Sequence, residues 1–301
     1  MTAPRTDPAG AFVPCLNPAT LSGIPLPQFL ALAAGAGFST VEVSIQQAQG
    51  HGIAPLRELL KEMGVRVAAA SGILPAGPVL PAPLLVDPDT YRTCLDGLDS
   101  RLEAMAAVGC TVATTVLNPR SPLDTREALA VARKRIAELA AAAAGHGVRL
   151  AVEAVSIHTG LPPELDGPHP VLDSLPQLAE LLEETDAQNA GVLVDSFHWA
   201  AAGADPGHIT LLGPDHITHV QIADTPAHHA IGELTDSHRL FPGDGALTWP
   251  VLADALDQAG YTGPVSVELF NPQLRALPAG EITRRSHHAA TSCFTLAETS
   301  R

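Results

Sequence analysis

Positive charge is scarce in this chain: 17 Lys and Arg stand against 32 Asp and Glu, a formal net charge of -15. Nucleic-acid binding draws its affinity from Lys and Arg that neutralise phosphates, so no nucleic-acid partner is expected. Cysteine is scarce too. Cys15, Cys94, Cys110 and Cys293 stand singly, with no CxxC spacing and none of the dense framework that staples small secreted domains. A reduced, cytoplasmic setting is the expectation. No apolar run suits a bilayer, because the Ala-rich stretch Ala137 to Gly147 is broken by Glu138 and preceded by Arg133, Lys134 and Arg135. A membrane partner is therefore not expected. The opening MTAPRTDPAGA lacks the basic and apolar regions of a leader, and its prolines disfavour regular structure. Residues 1–11 read as a short mobile arm.

What the chain does have is enough apolar material for a large core, with hydrophobic residues at 46% and charged ones at 16%. From Val13 onward, short β-branched or apolar runs alternate with longer segments of helical period, the signature of successive βα units. The expected strands are Val13 to Asn17, Thr40 to Ser44, Arg66 to Ser71, Thr111 to Leu117, Arg149 to Val155, Gly191 to Ser196, Ile217 to Ala223 and Pro264 to Phe270. In the helix APLRELLKEMG, Leu56, Leu59, Leu60 and Met63 form a stripe and Gly64 is placed to end it. AAVGCTV, AGHGVRL and DQAGYTGPV repeat that Gly between helix and strand. Eight such units predict an α/β fold, a (β/α)8 TIM barrel, as one domain over residues 12–301. An open doubly wound sheet is the competitor, but its dinucleotide-binding form needs a Gly-rich turn where CLNPATL stands. The Pro-rich stretches Leu74 to Pro88 and Thr159 to Pro170 follow strands and are expected as active-face loops, a place where long loops serve as lids.

Barrel active sites gather at the carboxyl ends of strands, so polar residues that interrupt apolar strands near those ends carry the information. Four do so on the last four strands: Glu153 in RLAVEAV, Asp195 in GVLVDSFHW, Gln221 in THVQIADTP and Glu268 in GPVSVELF. Three carboxylates buried among Val, Leu and Ala cannot neutralise one another. One divalent cation bound by all four residues would. An all-oxygen set suits Mn2+ first, with Mg2+ or Co2+ as substitutes. The competing explanation is ordinary pairing with Arg149, Arg239 or backbone N–H groups. Asn17, on the first strand, is placed to point into the same pocket. Asp224, Asp244 and Gly245 are expected to shape the last loops. His228, His229, His238, His287 and His288 lie away from strand ends, are expected in solvent and receive no role.

The segments DSFHW, HVQIADTP, RLFPGDG and GYTGPVSVELFNPQ, with a looser match from CLNPATL to the C-terminus, resemble the sugar phosphate isomerase and epimerase family of xylose isomerase-like barrels, the inosose isomerases most. In that family a Glu, an Asp, a His and a Glu of the last four strands hold the metal, which maps onto Glu153, Asp195, Gln221 and Glu268. The third position departs: Gln stands for His, as in the HVQIA pattern of hydroxypyruvate isomerase-like proteins and some 3-dehydroshikimate dehydratases. His219, two residues earlier on the same strand face, competes for that place. The resemblance implies that Glu153 and Glu268 exchange a proton through a metal-stabilised enediolate, and that His198 and Arg239 meet substrate oxygens. Homo-oligomers are common in the family, an expectation by analogy.

The leading expectation is thus an isomerase or epimerase of a keto-sugar or keto-cyclitol, a small polyol-like substrate. A lyase shares the first step: if the enolate expels a β-substituent, the reaction resembles 3-dehydroshikimate dehydration or keto-C-glycoside cleavage. DNA-repair endonucleases of the same barrel type need several metals and a basic groove, which the acidic balance opposes. A non-catalytic binding barrel leaves the carboxylate set unexplained.

Overall fold

The computed structural model describes residues 12–75, 82–213, 215–228 and 230–299. The arm expected over residues 1–11, part of the Leu74 to Pro88 loop and His229 lie outside them. Eight parallel strands close into a barrel: β1 (Val13–Leu16), β2 (Thr40–Ser44), β3 (Arg66–Ser71), β4 (Val112–Leu117), β5 (Arg149–Ala154), β6 (Ala190–Asp195), β7 (Ile217–Ile222) and β8 (Pro264–Val267). Each strand pairs with its chain neighbours, and β8 closes on β1 in the register Val13 to Pro264 through Leu16 to Val267. Every expected strand is present. The largest error is at β8, whose ladder stops at Val267 rather than Phe270, although Glu268 N still bonds Ile222 O at 3.1 Å.

Strand periodicity sorts the side chains into two layers. Val41 and Val43, Leu150 and Val152, Val192 and Val194, Val220 and Ile222, and Val265 and Val267 join the apolar layer between strands and helices. The alternate positions hold Glu42, Glu153, Leu193, Asp195, His219, Gln221 and Ser266. Polar residues thus concentrate on the barrel's inner face. Between units the helices end where the sequence places glycine: Gly64, at φ 66°, caps Ile53–Met63 with bonds to Leu60 O and Lys61 O. A side chain would strain that left-handed turn. In the expected stripe of this helix, Leu56 and Leu60 are buried, while Leu59 and Met63 pack on the core from partly exposed positions.

The Thr159 to Pro170 segment differs from a free lid. His169–Pro170 pairs antiparallel with Arg120–Ser121, and Asn118 donates to Glu164 O at 2.6 Å, so this loop is fastened to the one after β4. Both strands are two residues long, too short for any periodicity to announce. His287, expected in solvent, packs edge-on against Phe38 at 4.9 Å. All four cysteines are free and buried. Among the described residues, no helix is long and apolar enough to cross a membrane.

Candidate active site

The carboxyl ends of β5 to β8 bring Glu153, Asp195, Gln221 and Glu268 together because parallel register sets them side by side. Asp195 pairs with Gln221 across β6 and β7, and Gln221 pairs with Ser266 across β7 and β8, two residues before Glu268. All four are buried. With Asn17, His198 and Arg239, all but Asp195 line one pocket of about 310 Å³, whose wall includes Leu21, Phe29, Leu165 and Phe270. Asp195 adjoins the pocket, beside Glu153, His198 and Arg239.

Asp195 ends β6 and caps the helix Ser196–Ala201: its Oδ1 accepts from Phe197 N at 2.7 Å and His198 N at 3.1 Å. Its Oδ2 accepts from Arg239 Nη1 at 2.6 Å. That helix start carries His198 into the pocket, with Nε2 3.2 Å from Arg239 Nη2 and 3.6 Å from Glu153 Oε1. Arg239 also bonds Asp236 Oδ1 through Nε at 2.8 Å and lies 3.4 Å from Glu268 Oε2. On the opposite side Asn17 caps the turn Pro18–Leu21 with its Oδ1 and donates to Glu268 Oε1 at 2.9 Å through Nδ2. The expected pocket residues therefore meet in one constellation.

The electrostatics divide it. Burial alone would raise the Asp195 carboxyl, but the Arg239 guanidinium and the helix-start contacts at His198 hold it below its usual range. Burial, then repulsion from Asp195 and Glu268, pushes Glu153 well above its usual range. Burial raises Glu268 to about 8 against the pull of Arg239. His198 is lowered, chiefly by burial, and is neutral. The competing explanation by pairing is met in part: Arg149 turns away to Asp215 O, whereas Arg239 does pair with Asp195. One guanidinium shared among Asp195, Asp236 and Glu268 leaves the cluster short of positive charge.

The donor set fits a hard divalent cation. Gln221 Oε1 is buried with no hydrogen-bond partner, and Glu153, Asp195 and His198 offer ligand atoms all within 4.8 Å of one another. The second observation widens the expected roles, since His198 was read as a substrate contact alone. His219 is drawn elsewhere: its Nε2 lies 3.0 Å from Glu42 Oε1, both side chains 1% exposed. Glu42, missed in the sequence, interrupts TVEVS as the other carboxylates interrupt their strands, so the signal was present on a strand outside the last four. Burial, the largest single effect, works against its charge, but the attraction of His219 together with hydrogen bonds from His219, Ser266 and Gln221 holds Glu42 below its usual range. Asp236, three residues before Arg239, was also missed.

A model described as the xylose isomerase-like TIM barrel matches residues 30–293. An inosose isomerase of Halalkalibacterium halodurans is 30% identical over 146 residues, 48% of this chain and 48% of that one, so the match spans about half its length. The inosose isomerase of Bacillus velezensis is 26% identical over 275 residues, 89% of this chain and 91% of its own. The 3-dehydroshikimate dehydratase of Pseudomonas putida is 26% identical over 271 residues, 86% of this chain but 38% of its own. Among solved structures, a xylose isomerase domain protein from Alicyclobacillus acidocaldarius superposes with a TM-score of 0.83 at 27% identity, covering 96% of this chain and 100% of that one. The IOLI protein with a bound zinc atom shares the fold at a TM-score of 0.81 and 22% identity, over 95% and 99% of the two chains.

Proposed function

The chain belongs to the xylose isomerase-like TIM barrel family, and from that premise we propose that it isomerises or epimerises a keto-sugar or keto-cyclitol by moving a proton at the carbon next to the carbonyl. The observation that carries this reading is the pair of buried glutamates, Glu153 and Glu268, that line one pocket together with Gln221, His198 and Arg239. A carboxylate held beside the reacting carbon serves as general base and, once protonated, as the acid that returns the proton. One glutamate takes the proton and the other returns it. A divalent ion held by Glu153, Asp195, Gln221 and Glu268, Mn2+ in our reading, would draw electron density from the substrate's carbonyl and hydroxyl oxygens and make the C–H between them more acidic.

The remaining residues bind and orient. Arg239 holds the Asp195 carboxylate through its 2.6 Å bond to Oδ2, and the guanidinium, which lines the pocket, offers its remaining N–H groups to a substrate oxygen. Neutral His198 exchanges hydrogen bonds with a hydroxyl without adding charge. Asn17 holds Glu268 from the far side. The pocket's uncharged polar groups, among them Ser44, Gln46, Ser71 and Thr115, suit a polyol.

The test is proton NMR in D2O with inosose, hydroxypyruvate, ketohexoses and 3-dehydroshikimate, before and after chelation. Chelator-sensitive deuterium exchange next to the carbonyl, with an isomer as product, is the expected result; no exchange with any of them overturns the reading. A second outcome has specific support in the dehydratase relative that matches 86% of this chain. Loss of water or of an aglycone would make the enzyme a lyase using the same first proton transfer.

A further inference from the structure

Glu42 has been given no part in the reaction, yet it lies directly beside the residues that have one. It is 1% exposed on β2. Its Oε1 accepts from His219 Nε2 at 3.0 Å and from Gln221 Nε2 at 3.2 Å, and its Oε2 lies 3.3 Å from the same Gln221 nitrogen. That nitrogen also reaches Glu268 Oε1 at 3.3 Å. The amide NH2 of Gln221 is thus directed at two carboxylates, and its Oε1 is left buried with no partner. A carboxylate that receives an imidazole N–H and an amide N–H acts as acceptor only. Glu42 therefore fixes which end of the amide faces it. The reversed amide would set a carbonyl oxygen against Glu42 and Glu268 and present N–H groups where a cation would sit.

The backbone is irregular at both ends of this contact. The β2–β3 register slips between Val41 and Glu42, and the β6–β7 register slips so that Leu193 pairs with His219, passing over Thr218. Such irregularities re-aim side chains and are common beside functional sites. Here they accompany two residues that are 177 positions apart in sequence and meet inside the barrel.

We propose that Glu42, clamped by His219, is a positioning residue that holds the Gln221 amide with its carbonyl oxygen turned toward the pocket, where it serves as a ligand to a divalent cation. This gives His219 a role other than the ligand position it competed for. The inference rests on the metal-dependent reading above, and its test separates the two.

Calorimetric titration of Mn2+ into the chelator-treated full chain is carried out for the wild type, Glu42→Gln, Gln221→Ala and the double variant, with circular dichroism to confirm folding. Loss of an interaction that orients a ligand typically costs about 10–100-fold in metal affinity, and Glu42→Gln is expected to lose that much. In the Gln221→Ala background the same change is expected to cost nothing further, because coupled residues are not additive. An equal loss in both backgrounds would mean that Glu42 acts through its charge alone and overturns the proposal, as does undiminished binding by Glu42→Gln. Absence of binding by the wild type overturns the metal-dependent reading together with this one. If Glu42→Gln does not fold, Glu42→Asp keeps the charge, withdraws the carboxylate by one methylene and is read by the same criteria.

Discussion

Arg239 Nη1 stands 2.6 Å from Asp195 Oδ2, with the two side chains 1% and 0% exposed. A single cation thereby offsets a buried carboxylate. Asp236 and Glu268 share the same guanidinium, and Phe197 and Phe270 pack against its faces at 4.9 and 5.3 Å. Removing one partner of such a buried pair leaves the other charge uncompensated, which costs about 3–5 kcal/mol. Arg239→Met is therefore expected to destabilise the chelator-treated protein by roughly that amount in urea unfolding. Added Mn2+ should recover part of the loss by replacing the missing charge at Asp195. A variant as stable as the wild type without metal would show that Asp195 does not need Arg239.

The pH dependence of the metal-free protein follows from Glu268. Its folded pKa of about 8 lies above the ordinary 4.5, so between those values the folded state binds more protons than the unfolded one. Stability from this group is full below 4.5 and is lost as pH rises through about 8. Glu153 is shifted in the same direction. Asp195 has the opposite shift, from 3.8 downward, and so acts only at lower pH. His198, lowered from 6.5, works the other way below that value, so the melting temperature of chelator-treated protein should fall between about pH 6.5 and pH 8, and Mn2+ should flatten the decline because it replaces the protons. A melting temperature that climbs across this window would contradict the upward shifts.

The two glutamates carry the proposed proton transfer, so Glu153→Gln and Glu268→Gln each remove a base or an acid while keeping shape. General acid–base groups contribute about 10²–10⁴-fold, and each variant should lose deuterium exchange by at least that factor. Full exchange in either variant would exclude that residue from the transfer. Because both are also expected ligands, Mn2+ affinity is measured alongside, and exchange is compared at saturating metal.

The barrel was legible because apolar strand runs repeat eight times, with glycine closing several of the helices between them, and the strand-end residues stood out because Glu153, Asp195, Gln221 and Glu268 interrupt runs of Val, Leu and Ala. What stayed hidden depends on contacts between distant parts of the chain. Glu42 carries the same polar-in-apolar signal, but nothing local says that it meets His219 across the barrel, and Arg239 lies 44 residues from the Asp195 it pairs with. The missing His at the third ligand position drew attention to His219, two residues away on the same face. Alternation in β7 places both inward, and only the three-dimensional position of Glu42 decides that one is clamped while the other has a free oxygen.

Arg239 is held in place by its own loop, and Asp224 organises that loop. The Asp224 carboxylate accepts from the backbone N–H of Thr225, Gly243 and Leu247 and from Trp249 Nε1, all at 2.8–2.9 Å. Its backbone bonds Leu240, the residue after Arg239, in both directions at 2.9 Å. Gly245 completes the arrangement, since a Cβ there would run into the Thr225 carbonyl and the Asp224 carboxylate. Asp224→Ala strands buried donors, at about 1–3 kcal/mol for each one left unsatisfied, and Gly245→Ala drives the loop off the same acceptors, the Thr225 carbonyl and the Asp224 carboxylate. Both should cost stability and weaken substrate binding through Arg239. Steady-state kinetics with the substrate found by exchange, beside urea unfolding, checks this: a raised KM at nearly unchanged kcat places the effect on binding. If Gly245→Ala leaves KM unchanged while stability falls, the loop serves the fold alone and does not position Arg239.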